Sequence, residues 1–262
     1  MSGIQWVWAF LDEPRASFEE ALTYWSALTR TTASPRRGAD DEFLTLLPRL
    51  GAPWLKMQAT GSGRGIHLDL DVERPRAAAH QALALGAREL ATLGDDQVVI
   101  LASPAGFVFC FTRYAAPPGA GSAHPEASAS MSAQVRVGEP DLVDQVCLDI
   151  PDSAYAREVD FWASLTGWPP LPNTRAKFTA LRRPDGIPIR LLLQRLGESA
   201  GPARAHLDLA CADRNATLAR HTAHGATIVG DGPRWTVLRD PLGRTYCLTD
   251  RNPATGRLRS AP

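Results

Sequence analysis

The tetrapeptide His-Leu-Asp-Leu stands at residues 206–209 and again at residues 67–70. A single match of four letters carries little weight, but others follow in the same order at a nearly constant spacing. His206 lies 139 positions after His67, and Gly225 lies 139 after Gly86, each glycine being followed by alanine. Pro241-x-Gly243-x-x-x-Cys247 repeats Pro104-x-Gly106-x-x-x-Cys110 at a distance of 137, and Trp162 repeats Trp25 at the same distance. Gly186-x-Pro188 repeats Gly51-x-Pro53 at 135. An offset that drifts by two at a time is what small loop insertions leave behind, so the chain reads as a tandem duplication.

Its 262 residues are enough for two domains of ordinary size, and 44% hydrophobic content supports a core in each. Basic and acidic residues balance at 28 each, with no long run of either sign, which removes the main electrostatic argument for a nucleic acid or membrane partner. The opening MSGIQWVWAF has neither a basic n-region nor a cleavable apolar run, so a cytoplasmic protein is expected. Cys110, Cys147, Cys211 and Cys247 sit in apolar alternating segments and not in CxxC pairs, which favours reduced thiols over disulfides or a structural zinc.

Residues 4–10, rich in tryptophan and followed by Asp12-Glu13-Pro14, read as a strand that stops there. Pro14 suits a helix start, and Phe18, Ala21, Leu22, Trp25 and Leu28 recur at helical spacing as one apolar stripe. Strands are expected at 43–47, 54–58 and 66–72, a second helix at 77–85 closed by Gly86, and a hairpin of 97–102 with 107–113. Residues 115–141 are dense in Ala, Pro, Gly and Ser and read as a linker between domains at 1–114 and 142–262. The second half repeats the order: strand 145–150, helix 153–166, strands 178–182 and 189–194, strand 205–211, helix 215–224 closed by Gly225, and a hairpin of 235–239 with 244–249. Helices on one side of mainly antiparallel sheets make an α+β fold.

Side chains alternate between the faces of a strand. Leu207, Leu209 and Cys211 therefore share the apolar face of their strand, and His206 and Asp208 share the other, as do His67 and Asp69 in the first half. On the opening strand Gln145, Cys147 and Asp149 lie opposite Val146, Leu148 and Ile150, and on the closing strand Thr245, Cys247 and Thr249 lie together. Residues two apart on a strand are about 6.5 Å apart at Cα, so direct pairing of His206 with Asp208 stays open. Trp25, Phe161 and Trp162 fall on helical stripes and read as core. Trp235 and Tyr246, on the closing hairpin, are the aromatic candidates for ligand contact, because flat rings give large contact area at small entropic cost.

FWASLTGW at 161–168, HLDL leading into a helix that ends Gly-Ala at 206–226, and VLRDPLGRTYCL at 237–248 together resemble the vicinal oxygen chelate superfamily in its glyoxalase-like branch. That superfamily also contains bleomycin-resistance proteins and extradiol dioxygenases. The resemblance covers nearly all of 142–250 and, more weakly, 3–114. It implies βαβββ modules, two per half and four in the chain, whose curved sheets form an open cup with the helices outside. In metal-binding members the ligands come from the start of the first strand (His or Gln), the end of the first module (Glu), the start of the second module (His) and the closing strand (Glu). Carried over, the first falls on Gln145 and the third on His206. The fourth falls on Cys247, and the second falls around residues 190–192, where Arg and Leu stand. The first half repeats these departures with Gln5, His67 and Cys110.

A hard divalent ion needs carboxylates and imidazoles, and the carried-over set does not assemble them. The expectation is therefore a glyoxalase-like protein that encloses a small, partly aromatic organic ligand in the cup, with no metal or other cofactor. Residues 142–250 would dominate the binding. The alternative is a lyase or isomerase in which His206, oriented by Asp208, serves as acid and base, or in which Gln145, His206 and Cys247 loosely hold a divalent metal. A duplicated chain can form within itself the symmetric pair that single-domain relatives make as dimers, so a monomer with an internal pseudo-dimer is expected.

Overall fold

The apolar stripe read at 18–28 is α1 (Phe18–Thr29), with Phe18, Ala21, Tyr24, Trp25 and Leu28 buried. It follows β1 (Trp6–Pro14) in a computed structural model that describes residues 3–49, 51–114, 140–172 and 177–259. The first half continues with β2 (Thr32–Ala33), β3 (Phe43–Leu47), β4 (Leu55–Thr60), β5 (Gly65–Val72), α2 (Pro75–Ala84), β6 (Arg88–Leu93), β7 (Val98–Ala102) and β8 (Val108–Arg113). In the second half come β9 (Asp141–Ile150), α3 (Tyr155–Thr166), β10 (Phe178–Ala180), β11 (Arg190–Arg195) and β12 (Arg204–Cys211). It closes with α4 (Arg214–Ala223), β13 (Thr227–Gly232), β14 (Trp235–Arg239) and β15 (Thr245–Thr249). Of the expected linker, residues 115–139 lie outside the described residues, and Asp141 already belongs to β9.

Each half contributes one sheet, with strand order β2-β3-β4-β1-β5-β8-β7-β6 in the first and β10-β11-β9-β12-β15-β14-β13 in the second. This is the expected α+β arrangement of βαβββ modules. The sheets are mixed: β5 with β8 and β12 with β15 run parallel, while β6-β7-β8 and β13-β14-β15 are antiparallel. In the module that opens with β9, an isolated bridge joins Pro170, ahead of β10, to Leu181, which follows β10 directly. Gly86 and Gly225, with φ of 101° and 96°, adopt the left-handed conformation that ends α2 and α4, which a residue with a Cβ takes only under strain. Among the described residues no helix is long and apolar enough to cross a membrane.

The described residues group into two compact units, one drawn from within 1–10, 65–116 and 146–205, the other from within 11–64, 117–145 and 206–262. We call them the first and second unit. Each is built around one copy of the repeated tryptophan. In the second unit Trp25 meets Tyr246 edge-on, with ring centroids 5.3 Å apart at 67°. In the first, Trp162 meets Phe109, the residue 137 before Tyr246, at 5.2 Å and 63°. All four rings are fully buried, so the duplication has kept this hydrophobic contact twice.

The structure departs from the expected elements in two ways. β1 does not stop at Asp12-Glu13-Pro14 but runs to Pro14, because Glu13 is buried and ion-paired in the second unit with Arg64 at 2.5 Å and Arg244 at 3.1 Å. The pairs hold its carboxyl below the usual range although burial opposes this. Besides the two-residue β2, strands β6 and β13 were not expected. Both are exposed, and each carries a register shift against its neighbour, between Glu89 and Ala91 and between Ile228 and Gly230, which breaks the alternation that marks a strand.

Candidate functional site

The parallel pairing of β12 with β15 sets Asp208 directly beside Cys247, and His206 precedes Asp208 on the same face. His206, Asp208 and Cys247 each bring a donor atom within 4.8 Å of the other two. His206 Nε2 lies 3.3 Å from Asp208 Oδ1, so the side chains close the gap that the strand rise leaves between them. Gln145, at the inner end of β9's second-unit segment, donates from Nε2 to Asp208 Oδ2 at 2.5 Å. Behind Asp208 the Arg251 guanidinium is 3.7 Å from the same oxygen and forms a buried pair with Asp144 at 2.6 Å.

Burial pushes the Asp208 carboxyl up, but His206, Arg251 and Gln145 outweigh it and hold it below the usual carboxylate range. An ionised Asp208 only accepts, so the ring nitrogen facing it carries the hydrogen, and Nδ1 is the basic atom of neutral His206. The Cys247 thiol moves the other way. Burial raises it and the Asp208 charge adds to the rise, so it stays protonated near neutral pH and is a poor nucleophile.

The first unit repeats the constellation. Asp69 pairs in register with Cys110 across β5 and β8, and the donor atoms of His67, Asp69 and Cys110 likewise lie within 4.8 Å of one another. Here His67 Nε2 and Asp69 Oδ1 are 3.7 Å apart, and Phe10 stacks on the His67 ring with centroids 4.3 Å apart. Asp71, next on the same face, accepts hydrogen bonds from Trp8 Nε1 at 2.9 Å and from Thr112 Oγ1.

Of the residues singled out in the sequence, Gln145, His206, Asp208 and Cys247 therefore come together in the second unit, and His67 and Asp69 in the first. Trp235 pairs with Thr249 and so shares the Cys247 face, its indole resting on Gly232, where a Cβ would stand 2.4 Å from the ring. Tyr246 is on the opposite face. It is fully buried against α1 and α4, bonded to Tyr24 at 2.8 Å and His221 at 2.9 Å, and is no part of the cluster. Gln5 is exposed ahead of β1, with its backbone N–H on Asp71 O, and does not mirror the buried Gln145. Cys147 lies in the first unit with its thiol on Gln194. All four cysteines are buried, and no disulfide joins any of them among the described residues.

The sequence reading did not include Arg251 and Asp144, which fix Asp208 from behind. Both were readable only as charged residues beside apolar strands, and nothing local marks them as buried partners. A small pocket in the second unit, lined among others by Arg30, Trp54, Asp141 and Leu209, opens on the Leu209 side of β12, away from His206 and Asp208.

The fold family implies a divalent metal, and the second-unit donors can be tested against it. They offer one imidazole, one carboxylate and one protonated thiol, and the carboxylate already takes Gln145 and faces a buried guanidinium. A hard ion such as Mn(II), which seeks several oxygen donors, does not fit this set.

A family model described as a glyoxalase-like domain matches residues 8–112 and, separately, residues 145–249. No curated protein matches the chain in sequence. Among solved structures the chain is similar to the Mn(II)-bound glyoxalase from Novosphingobium aromaticivorans, at 15% identity and a TM-score of 0.63 over 95% of this chain and 83% of that one. It is similar to the 2,3-dioxygenase LapB from Pseudomonas sp. KL28 at 12% identity and a TM-score of 0.60, over 95% and 93% of the two chains. A xylose isomerase-like TIM barrel/4-hydroxyphenylpyruvate dioxygenase fusion protein gives 16% identity and a TM-score of 0.56, with 87% of this chain spanning 40% of that one. At these identities the likeness is one of fold.

Proposed function

The chain belongs to the glyoxalase-like domain family, and from that premise we propose that it binds a small, partly aromatic organic molecule on the polar face of β12 and β15 without a hard divalent ion. The observation that carries this reading is the engagement of Asp208. Gln145 stands where metal-binding relatives have their first ligand, yet its amide N–H is turned to Asp208, and Arg251 supplies the local positive charge. His206 then offers a ligand an oriented imidazole, and Trp235 on the same face offers a flat apolar contact.

The test is a ligand screen on chelator-treated protein. A compound that raises the melting temperature should bind at least tenfold more weakly to His206→Ala, about 1.4 kcal/mol, and equally well to His67→Ala. Binding that appears only on adding Mn(II), or that His67→Ala abolishes and His206→Ala spares, overturns the reading.

A second reading is favoured by the 3.3 Å approach of His206 to Asp208, which fixes the ring and suits proton abstraction by a lyase or isomerase. It requires hydrogen exchange at a bound ligand's carbon in D2O, lost in His206→Ala. A ligand that binds without such exchange leaves the binding reading alone.

A further inference from the structure

We propose that the small pocket at the C-terminal end of α1 binds a short aliphatic carboxylate. It opens on the Leu209 face of β12, opposite His206 and Asp208, so it is a second site, apart from the one that carries the proposed function.

The two copies differ at this place. Leu28-Thr29-Arg30-Thr31 returns as Leu165-Thr166-Gly167-Trp168 at the repeat distance of 137. The local structure matches as well: Thr29 and Thr166 each donate from Oγ1 to the carbonyl four residues back, that of Trp25 or Trp162, at 2.6 Å. Arg30 and Gly167 both end their helix in the left-handed conformation, with φ of 54° and 71°. Glycine adopts it without penalty, whereas a side chain there strains the backbone. At the next position the Trp168 ring is buried, while Thr31 is small and half-buried. The first copy thus carries backbone strain together with a guanidinium and a small neighbour, where the second has no charge and a large ring.

The charges come next. Arg30 Nη2 donates to Asp141 Oδ1 at 3.0 Å and to the Asp141 carbonyl at 2.7 Å. The same carboxylate accepts from Arg220 Nη2 at 2.5 Å and from Thr217 Oγ1 at 3.2 Å. Arg49, exposed, also lines the pocket, and Asp141 is the one acid among the described lining residues. Two arginines therefore face a space whose single carboxylate is shared with a third, and positive charge is in excess. The walls are apolar, formed by Leu46, Leu209 and Trp54, whose indole N–H is turned to the Val143 carbonyl at 3.0 Å. An anion answers the charge, and the walls require its body to be apolar. A planar carboxylate suits the guanidinium fork, and the small space limits the body to a few carbons.

The experiment is calorimetric titration of the full chain with isovalerate, with isovaleramide as its uncharged counterpart and inorganic phosphate as an anion without an apolar body. A single isovalerate per chain is expected, bound more weakly as salt is raised, with the amide and phosphate at least about tenfold weaker. Arg30→Gly, which installs the residue of the other copy and relieves the backbone, should weaken isovalerate by about tenfold or more, and Thr31→Trp should do so by filling the space with the charges intact. Arg49→Gln, at an exposed position, should cost about two- to fivefold and carries the test if another variant fails to fold. Absence of saturable isovalerate binding, equal binding of the amide or of phosphate, or unchanged affinity in both Arg30→Gly and Arg49→Gln would overturn the proposal. His206→Ala should leave isovalerate binding unchanged, and its loss there would overturn the location. Failure of this site therefore has no bearing on whether an organic ligand binds at His206.

Discussion

His221, on α4, is fully buried and bonded at both ring nitrogens. The Arg220 guanidinium, 3.1 Å from Nε2, can only donate, so Nε2 accepts and Nδ1 carries the hydrogen given to Tyr246, whose hydroxyl goes on to Tyr24. Burial, then the charge of Arg220, push the His221 pKa down to about 4, while Asp141 pulls weakly the other way. An unfolded chain takes up this proton below about pH 6.5 and the folded chain does not, so stability is lost as pH falls from about 6.5 to 4, at up to about 1.4 kcal/mol per unit. Unfolding free energies over that range should show a shallower acid slope in His221→Gln than in the unaltered chain; equal slopes would remove His221 as the cause. Neither this network nor the Arg251 pair is local in sequence, which is why neither was legible there. The faces of His206, Asp208, Gln145 and Cys247 were legible, because strand alternation is a local rule. Tyr246 was misplaced when its aromatic character was weighed above its parity with the apolar Leu248.

At the scale of elements, the two closing turns are held by carboxylates that come from opposite sides. In the second unit Asp240 accepts from the backbone of Leu242 at 3.0 Å and Arg244 at 2.8 Å, and from Trp25 Nε1 at 3.2 Å. In the first unit the turn has Ser103 at that place, and Glu158, one helical turn before Trp162, accepts from Ser103 Oγ and from the Ala105 N–H at 2.6 Å. Ala21 occupies the matching helix position before Trp25. Glu158→Ala should therefore destabilise by about 1–3 kcal/mol by stranding a turn N–H, and adding Ser103→Asp should restore a substantial part. A double variant no more stable in urea than the single one would show that the two carboxylates are not equivalent. The helices and inner strands behind these turns were legible within a few residues from periodicity and glycine stops. The edge strands β6 and β13 were not, since a bulge and the lack of any buried residue remove both the period and the burial on which the reading depends.

For the whole molecule, the matching Trp25–Tyr246 and Trp162–Phe109 contacts show that the duplication is one of packing as well as of letters. We propose that the chain is a monomer, its two copies standing in for a dimer, and sedimentation equilibrium should return the mass of one chain; a mass near twice that would refute it. The parallel pairing of first and last strand in a module has a consequence in time. Asp69 meets Cys110 only once β8 exists, and Asp208 meets Cys247 only once β15 exists. Because synthesis runs from the N-terminus, the His67 face can be completed while more than half of the chain is still unmade, and the His206 face waits for Thr249. A product truncated between Arg113 and Thr245 would thus keep the strands that set Cys110 beside Asp69 and never acquire the one that sets Cys247 beside Asp208.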